Sequence, residues 1–395
     1  MRVVINGAGI AGPTLAYWLR KGGHDVVLVE ASEHLRTGGY VVDFWGVGYD
    51  IAERMGLLPR IRERGYAVEE VRFVDRAGRV RGGFAVSIFR RLLGDRFTTL
   101  RRSDLAAILY DALDGQVETL FGDSIAGIED TREGVRVTFD HASPRVADLV
   151  VGADGLHSRV RRLAFAPDAD VEVGLGYHVA AFEARGYRPR DDLVYVSHAA
   201  PGRQVSRFSM RDDNTLFLFV FRDGAAQGLH PASTAERSAV LARVFSDMGW
   251  ECRSILAAAQ EAGEIYFDRV SQVRMDRWTT GRTALVGDAA ACVSLLAGEG
   301  TGLAMAEAYV LAGELGAAGS DHARGLARYE ARMMPLVRRK QAAAARFASS
   351  FAPGSSLGIA FRDVVTRLLR FPWVADHFIG RQLRDDIELP EYAFR

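Results

Sequence analysis

The chain opens with an apolar run, Val3, Val4 and Ile5, that breaks into glycines and resumes as a stretch in which Leu15, Ala16, Trp18 and Leu19 can cover one side of a sheet. A second apolar run, Val26 to Val29, ends in Glu30. Such runs lack polar alternation, which predicts strands buried on both faces, the habit of parallel sheets. The pattern returns at residues 149–151 and 283–286, each followed by a glycine-containing turn and then a helical stretch. The middle of the chain differs. Residues 171–184, 193–198, 204–210 and 215–222 are short β-rich runs divided by Gly, Pro and Asp-Asp-Asn turns, which predicts an antiparallel sheet.

Further short strands are expected near 70–74, 80–85, 98–100, 116–128, 134–139 and 264–273. Helices are expected over 47–55, 234–245, 251–261, 303–315, 324–351 and 362–378, and one opens after Arg101 and Arg102 with Ser103 as its N-cap. Residues 36–45 are rich in glycine and aromatics, with Gly38 and Gly39 interrupting the pattern. They read equally as a hairpin crossing a sheet edge and as a strap along a flat ligand.

The first turn gives these elements chemistry. Gly7, Gly9 and Gly12 form a complete G-x-G-x-x-G between a strand and a helix. Gly7 permits the tight turn, Gly9 lets backbone N–H groups approach a pyrophosphate, and Gly12 lets helix and sheet pack closely. The phosphates would sit at the positive end of the helix. Glu30, at the tip of the second strand, can accept hydrogen bonds from both ribose hydroxyls of an adenosine. Asp154, in the Gly-Ala-Asp-Gly turn, lies where ligands bind in doubly wound folds. Asp288 follows the 283–286 strand, and Gly298, Gly300 and Gly302 precede an apolar helix whose N-terminus would welcome a polar or anionic edge.

Composition narrows the field. The 395 residues carry 50 basic and 50 acidic side chains, so nothing recommends a nucleic acid or an acidic membrane as partner. Hydrophobic content of 48% supports a sizeable core. No stretch reaches the roughly 20 apolar residues of a membrane span, and the first apolar segment is too broken by glycine for a signal peptide, so the expected location is the cytoplasm. Cys252 and Cys292 cannot supply a disulfide framework, a zinc cluster or a C-x-x-C pair. No metal site is expected, and any redox chemistry falls to a bound cofactor.

Three motifs in this order, the glycine fingerprint with its distal Glu30, V-G-A-D-G-x-H-S-x-V-R, and G-R-x-A-L-V-G-D-A-A, resemble the single-component FAD-dependent monooxygenases related to para-hydroxybenzoate hydroxylase. The compact length is similar to the tetracycline-inactivating and polyketide-tailoring branch. The resemblance implies an α/β fold: a Rossmann-like FAD-binding domain of the glutathione-reductase type (1–70, 98–170 and 274–322), an antiparallel β-sheet substrate domain (71–97 and 171–273) and a C-terminal helical brace (323–395).

It also implies roles. Gly7, Gly9 and Gly12, with Ile10 and Ala11, would hold the FAD pyrophosphate, and Glu30, flanked by Ala31 and Arg36, the adenosine ribose. Arg102 would contact the flavin side, Asp154 would serve both FAD and a nicotinamide donor, and Asp288 would bind the ribityl chain. Gly298, Gly300, Thr301 and Gly302 would bring amides to the pyrimidine end of the flavin. The implied reaction uses NADPH or NADH and O2 to insert one oxygen atom into an aromatic or polyketide-like molecule through a flavin C4a-peroxide. A dehydrogenase or reductase on the same scaffold, or Baeyer–Villiger insertion, stand as alternatives, and a monomer or homodimer is expected. His178, His198, Arg207, Phe208, Met210 and Phe219 are substrate-lining candidates, with the inward face of their strands left open. No protein nucleophile is required. Ala291, Ser294 and Leu295 depart from the family's usual His and Pro after G-D-A-A, which weakens any transfer of substrate contacts on that loop.

Overall fold

The computed structural model describes all residues except 37, 39, 226–228, 230, 370, 372–373, 375–386 and 395, and the side chains of all but these and residues 297 and 345–350. Arg2–Asn6 is flanked by Asp25–Glu30 and Leu149–Gly152, parallel to both. Glu118–Phe121 and Thr283–Leu285 extend this parallel sheet on either side, and Thr279–Thr280 closes one edge as an antiparallel hairpin. The apolar runs are buried without alternation, because helix Ala11–Lys21 packs on the sheet and a three-stranded antiparallel sheet, Ile125–Thr131, Gly134–Phe139 and Arg145–Ala147, also contacts strands Arg2–Asn6 and Leu149–Gly152. Trimming a core side chain such as Ile5, Leu28 or Val151 to alanine would cost about 2–4 kcal/mol. Helix Gly300–Ala318 is buried all round from Leu303 to Leu315, since helices Ala11–Lys21, Val47–Arg54 and His322–Phe351 enclose it.

The second sheet has seven strands, in the order Tyr266–Val273, Glu172–Arg185, Asn214–Arg222, Arg203–Ser209, Val194–Ala200, Glu70–Val74 and Val80–Ala85. It is antiparallel as expected, apart from the parallel pairing of Val194–Ala200 with Glu70–Val74. One face packs Phe182, Phe217, Phe219 and Phe221 against Leu241, Val244, Phe245 and Ile255 of the helices Thr234–Phe245 and Cys252–Gln260. The other face presents Val179, Ala181, Phe208, Met210 and Leu218 toward Tyr40, Val41, Leu295 and Leu296.

Several local expectations shift. Val41–Trp45 is neither a free strap nor half of a short hairpin: it pairs antiparallel with Phe97–Arg101, far along the chain, as a two-stranded ribbon. The following helix spans Arg102–Asp111 with Arg101 as its N-cap, so Ser103 lies inside the first turn and caps nothing. The long apolar helix begins at Gly300, which puts Gly300, Thr301 and Gly302 in its first turn rather than before it. At the C-terminus a helix covers Ser356–Leu368, and much of the helix expected to continue to residue 378 falls outside the described residues. Residues 387–394 form no helix; they lie extended against Trp18 and Tyr309. Among the described residues, no helix is long and apolar enough to cross a membrane.

Candidate functional site

Gly7 has φ of +111°, and a Cβ there would collide with the Ala153 carbonyl, so the first strand can turn past Gly152 only as glycine. A Cβ on Gly12 would strike the Gly7 carbonyl, which is the close helix–strand approach the fingerprint demands. Gly9 faces differently. A Cβ there would meet only the Arg102 guanidinium, at 3.6 Å, so Arg102 reaches from another helix to the fingerprint loop. Helix Ala11–Lys21 has Ile10 at its N-cap, no side-chain cap and no acidic residue in its first turn, leaving its positive end available to an anion.

Around this loop the carboxylates divide into two kinds. Glu30 is buried; it accepts the Ala8 N–H at 2.8 Å and the Ser32 N–H at 3.1 Å, and Arg36 stands 3.8 Å away. Ala31 and Arg36 are exposed beside it. Asp154 instead uses its carboxylate inside its own turn. It accepts from the Ser158 hydroxyl at 2.5 Å, from the N–H groups of Arg159 (2.8 Å) and Val160 (3.1 Å), and from Asn6 Nδ2 at 2.9 Å. Asn6, which the sequence did not single out, also accepts the Ile125 N–H at 3.2 Å and so ties the first strand to both neighbouring turns.

The third motif closes over the first. Gly287, with φ of +63°, lies so close to both helices that a Cβ would be 3.2 Å from Ala11 Cβ and 3.3 Å from Ala304 Cβ. The first turns of helices Ala11–Lys21 and Gly300–Ala318 therefore meet at the Gly287–Asp288 turn. Arg161, fully buried, locks this turn to the Asp154 loop by donating to the carbonyls of Ala289 (3.0 Å) and Leu156 (2.5 Å) and pairing with Asp168 at 2.6 Å. Asp288 lies 3.7 Å from where a Cβ on Gly300 would be. Its carboxyl is raised above the usual range by burial, against the opposing pull of the Arg102 and Arg161 charges and a hydrogen bond from the Cys292 thiol. It forms no ion pair among the described residues. Tyr40 and Tyr266 stand beside it with ring centroids 5.7 Å apart, and both hydroxyls are held protonated: burial pushes Tyr40 up to about 12 and Tyr266 further.

Beyond this cleft the ribbon meets the seven-stranded sheet across an interface. Arg101 crosses it, pairing with Glu183 at 2.8 Å and touching Met210 Sδ at 3.5 Å. Asp43 lies on the same side of the ribbon and accepts the Thr99 hydroxyl at 2.6 Å; desolvation raises its carboxyl, with that hydrogen bond opposing. Of the expected substrate residues, Phe208 and Met210 line this face.

The other four point away. Phe219 is core against Phe182 and Phe245. His178 stacks on Phe221 and lies 3.1 Å from Asp223. His198 bonds the Val74 carbonyl near Trp250. Arg207 is held between Asp191 and Glu251 at 2.6 and 2.8 Å. Period-two alternation puts all four on the helix-covered face. Sequence reading passed over Tyr40, Asp43, Thr99, Arg101, Glu183 and Tyr266. Tyr40 and Asp43 lie on the segment read as a hairpin or as a strap along a flat ligand, the others on segments read as strands or a helix start, and the ribbon pairing brings them together.

The donor set fits FAD. Two uncapped helix N-termini, a half-buried carboxylate without a cation among the described residues and a glycine-lined loop beneath an arginine suit a pyrophosphate, a polyol chain and a flavin ring. The comparisons agree. Residues 1–344 match the family described as FAD binding domain. An uncharacterized protein of Mycobacterium tuberculosis is 38% identical over 86% of this chain and 91% of its own length. A flavin-dependent monooxygenase from an unknown prokaryotic organism is 32% identical over 99% of both chains. The crystal structure of tetracycline destructase Tet(55) superposes with a TM-score of 0.84 at 31% identity, covering 99% of this chain and 98% of the other. The chain belongs to the FAD-binding-domain family and, within it, is an FAD-dependent monooxygenase matching the compact, tetracycline-inactivating branch.

Proposed function

We propose that the protein oxidises NADPH or NADH and uses O2 to insert one oxygen atom into an aromatic or polyketide-like molecule held between the ribbon and the seven-stranded sheet. The observation that carries this reading is the continuity of the cleft with the ribbon–sheet interface: Tyr40 and Tyr266 border the Arg102–Asp288 cleft and also pack on the Phe208–Met210 face. FAD, when bound, supplies the electron transfer and oxygen activation. In this reading Gly7, Gly9, Ile10, Ala11 and Gly12 hold its pyrophosphate, and Glu30 the adenosine ribose. Arg102, Asp288 and Gly298 to Gly302 hold its flavin half.

The chain's own residues do the rest. Phe208, Leu218 and Val179 form a dry wall that keeps water from the reacting centre. The protonated Tyr40 hydroxyl is a hydrogen-bond donor that can orient a polar edge of the acceptor, while the Tyr266 hydroxyl donates to Asp268 at 3.4 Å. Asp43, its carboxyl raised by its surroundings, is placed to take a proton from a phenol or enol. The likeness to the tetracycline destructases favours a fused-ring acceptor. The test is to purify the protein, confirm a yellow FAD spectrum, and measure NAD(P)H loss and oxygen uptake with phenolic and polyketide compounds under labelled dioxygen. One label per product molecule, coupled to NAD(P)H loss, is the expected result. Acceptor-dependent NAD(P)H loss without oxygen uptake would mean a dehydrogenase, and oxygen inserted with ring expansion would mean Baeyer–Villiger chemistry.

A further inference from the structure

Glu307 is a carboxyl with too few donors. It sits in the apolar helix Gly300–Ala318, 1% exposed, and its Oε2 accepts the Gly287 N–H at 2.6 Å. The Tyr329 hydroxyl lies 3.3 Å from the same oxygen, but it has one proton and a nearer acceptor, the Leu285 carbonyl at 2.9 Å. If Tyr329 donates to Leu285, the Glu307–Tyr329 contact needs its proton from Glu307. The charged groups around it do not compensate a carboxylate. Asp288, on the adjoining turn, has the same sign. Glu330, after Tyr329 on helix His322–Phe351, is already engaged with the Trp278 and Thr279 N–H groups. Arg161, beneath the turn, pairs with Asp168, and Glu307 forms no ion pair among the described residues. A buried, unpaired carboxylate costs several kcal/mol, which the neutral acid avoids.

We propose that Glu307 is a neutral carboxylic acid in the working enzyme, that it positions the Gly287–Asp288 turn for FAD, and that its ionisation loosens that turn. The positioning half rests on the reading of Asp288 as a flavin-side ligand; the protonation half does not. Burial raises the carboxyl from 4.5 to about 8, with the Asp288 charge adding to the rise and the hydrogen bonds from the Gly287 N–H and the Tyr329 hydroxyl opposing it. For an acid raised on folding, the stability contribution is full below about 4.5 and is lost as pH rises through about 8. The site is therefore intact at neutral pH and weakens in mild alkali.

Two measurements test this. Infrared spectra of the apo-protein at neutral pH should contain a protonated-carboxyl C=O band that Glu307→Gln lacks and Tyr329→Phe shifts. FAD titrations should show the wild-type dissociation constant rising about tenfold or more as pH passes about 8, roughly one pK unit of coupling, while Glu307→Gln stays flat and tight and Glu307→Ala is weak at every pH. A band missing from wild type overturns the protonation. A Glu307→Gln titration that follows the wild-type curve overturns the positioning role. Wild type binding no FAD at any pH, with the band present, overturns the positioning role together with the flavin reading.

Discussion

Gly48 and Gly302 meet backbone to backbone: a Cβ on Gly48 would lie 2.7 Å from Gly302 Cα and 2.9 Å from Phe44 Cε2. This crossing fixes helix Val47–Arg54 against the first turn of Gly300–Ala318, the turn expected to meet the flavin. Gly48→Ala must push the helices apart and should cost about 1–3 kcal/mol, as overpacking does. Gly302→Ala, whose Cβ would stand 3.2 Å from Gly48 N, should cost less. Denaturant unfolding of the apo-proteins and FAD titration check both. A Gly48→Ala protein as stable as wild type would show that the crossing is loose.

Asp288 is the half-buried acid that FAD should find. Its surroundings already penalise its charge, and no cation pairs with it, so a ligand's hydroxyl donors are what would justify its place. Asp288→Ala should purify with much less FAD and bind it roughly ten- to a hundredfold more weakly, the worth of a hydrogen bond to a charged group. Asp288→Asn, which keeps an acceptor oxygen, should fall between. Flavin absorbance per protein after desalting gives the answer, and full retention in Asp288→Ala would remove it from the ribityl site.

Some of this was readable from the chain because local backbone geometry dictates the residue type. Only glycine fits Gly7 and Gly12, so the fingerprint declares its own turn. The helix expected over 234–245 begins where expected because Ser233 and Glu236 form a capping box at its N-terminus. Other features leave no such mark. Residues 214–222 are apolar on both faces of their strand, so alternation alone could not show which face the helices cover, and His178, His198, Arg207 and Phe219 fell on that one. Helix Ser87–Leu93 buries no residue, and its stripe of Ile88, Phe89, Leu92 and Leu93 spans only seven residues, too short for helical periodicity to declare itself. The ribbon pairs Val41 with Arg101, a long-range register that no local pattern encodes. Glu307 reads in sequence as one polar break in an apolar helix until the Gly287 N–H is seen pointing at it.

His157 is a surface latch between the two sheets. It follows the Asp154 turn, and its Nε2 lies 3.2 Å from Asp268 of strand Tyr266–Val273, with Glu172 at 3.8 Å from Nδ1. The hydrogen bond to Asp268 is the main cause that raises the imidazole above its usual 6.5. A base raised on folding stabilises fully below its unfolded value and loses that contribution as pH climbs through the raised one. The unfolding midpoint should therefore fall as pH rises above about 6.5, less so at high salt because the pair is half exposed. His157→Gln and Asp268→Asn should each flatten that part of the curve. Identical pH profiles for wild type and both variants would mean the latch contributes nothing.

The C-terminal segment Ile387–Phe394 bears on the cofactor without touching the cleft. Phe394 packs on Trp18 of the fingerprint helix, with centroids 4.7 Å apart, and Trp18 in turn meets Tyr309 of the long apolar helix edge-on at 4.9 Å. Tyr392 fits over Gly313, where any Cβ would collide with its ring, and donates to Glu314 at 2.7 Å. The Pro390 carbonyl accepts from Tyr309 (2.9 Å) and Arg54 (3.1 Å). The segment thus staples together the two helices whose N-termini converge on Gly287. Removing residues 387–395 should cost on the order of 2–4 kcal/mol, the scale for losing buried aromatic packing. It should also speed FAD release, because the helix ends would no longer be held in register. Gly313→Ala should reproduce a weaker form of both effects by displacing Tyr392 alone. Thermal unfolding and stopped-flow FAD release measure them, and a truncated protein that melts and releases FAD like the full chain would reduce the segment to an ornament of the surface.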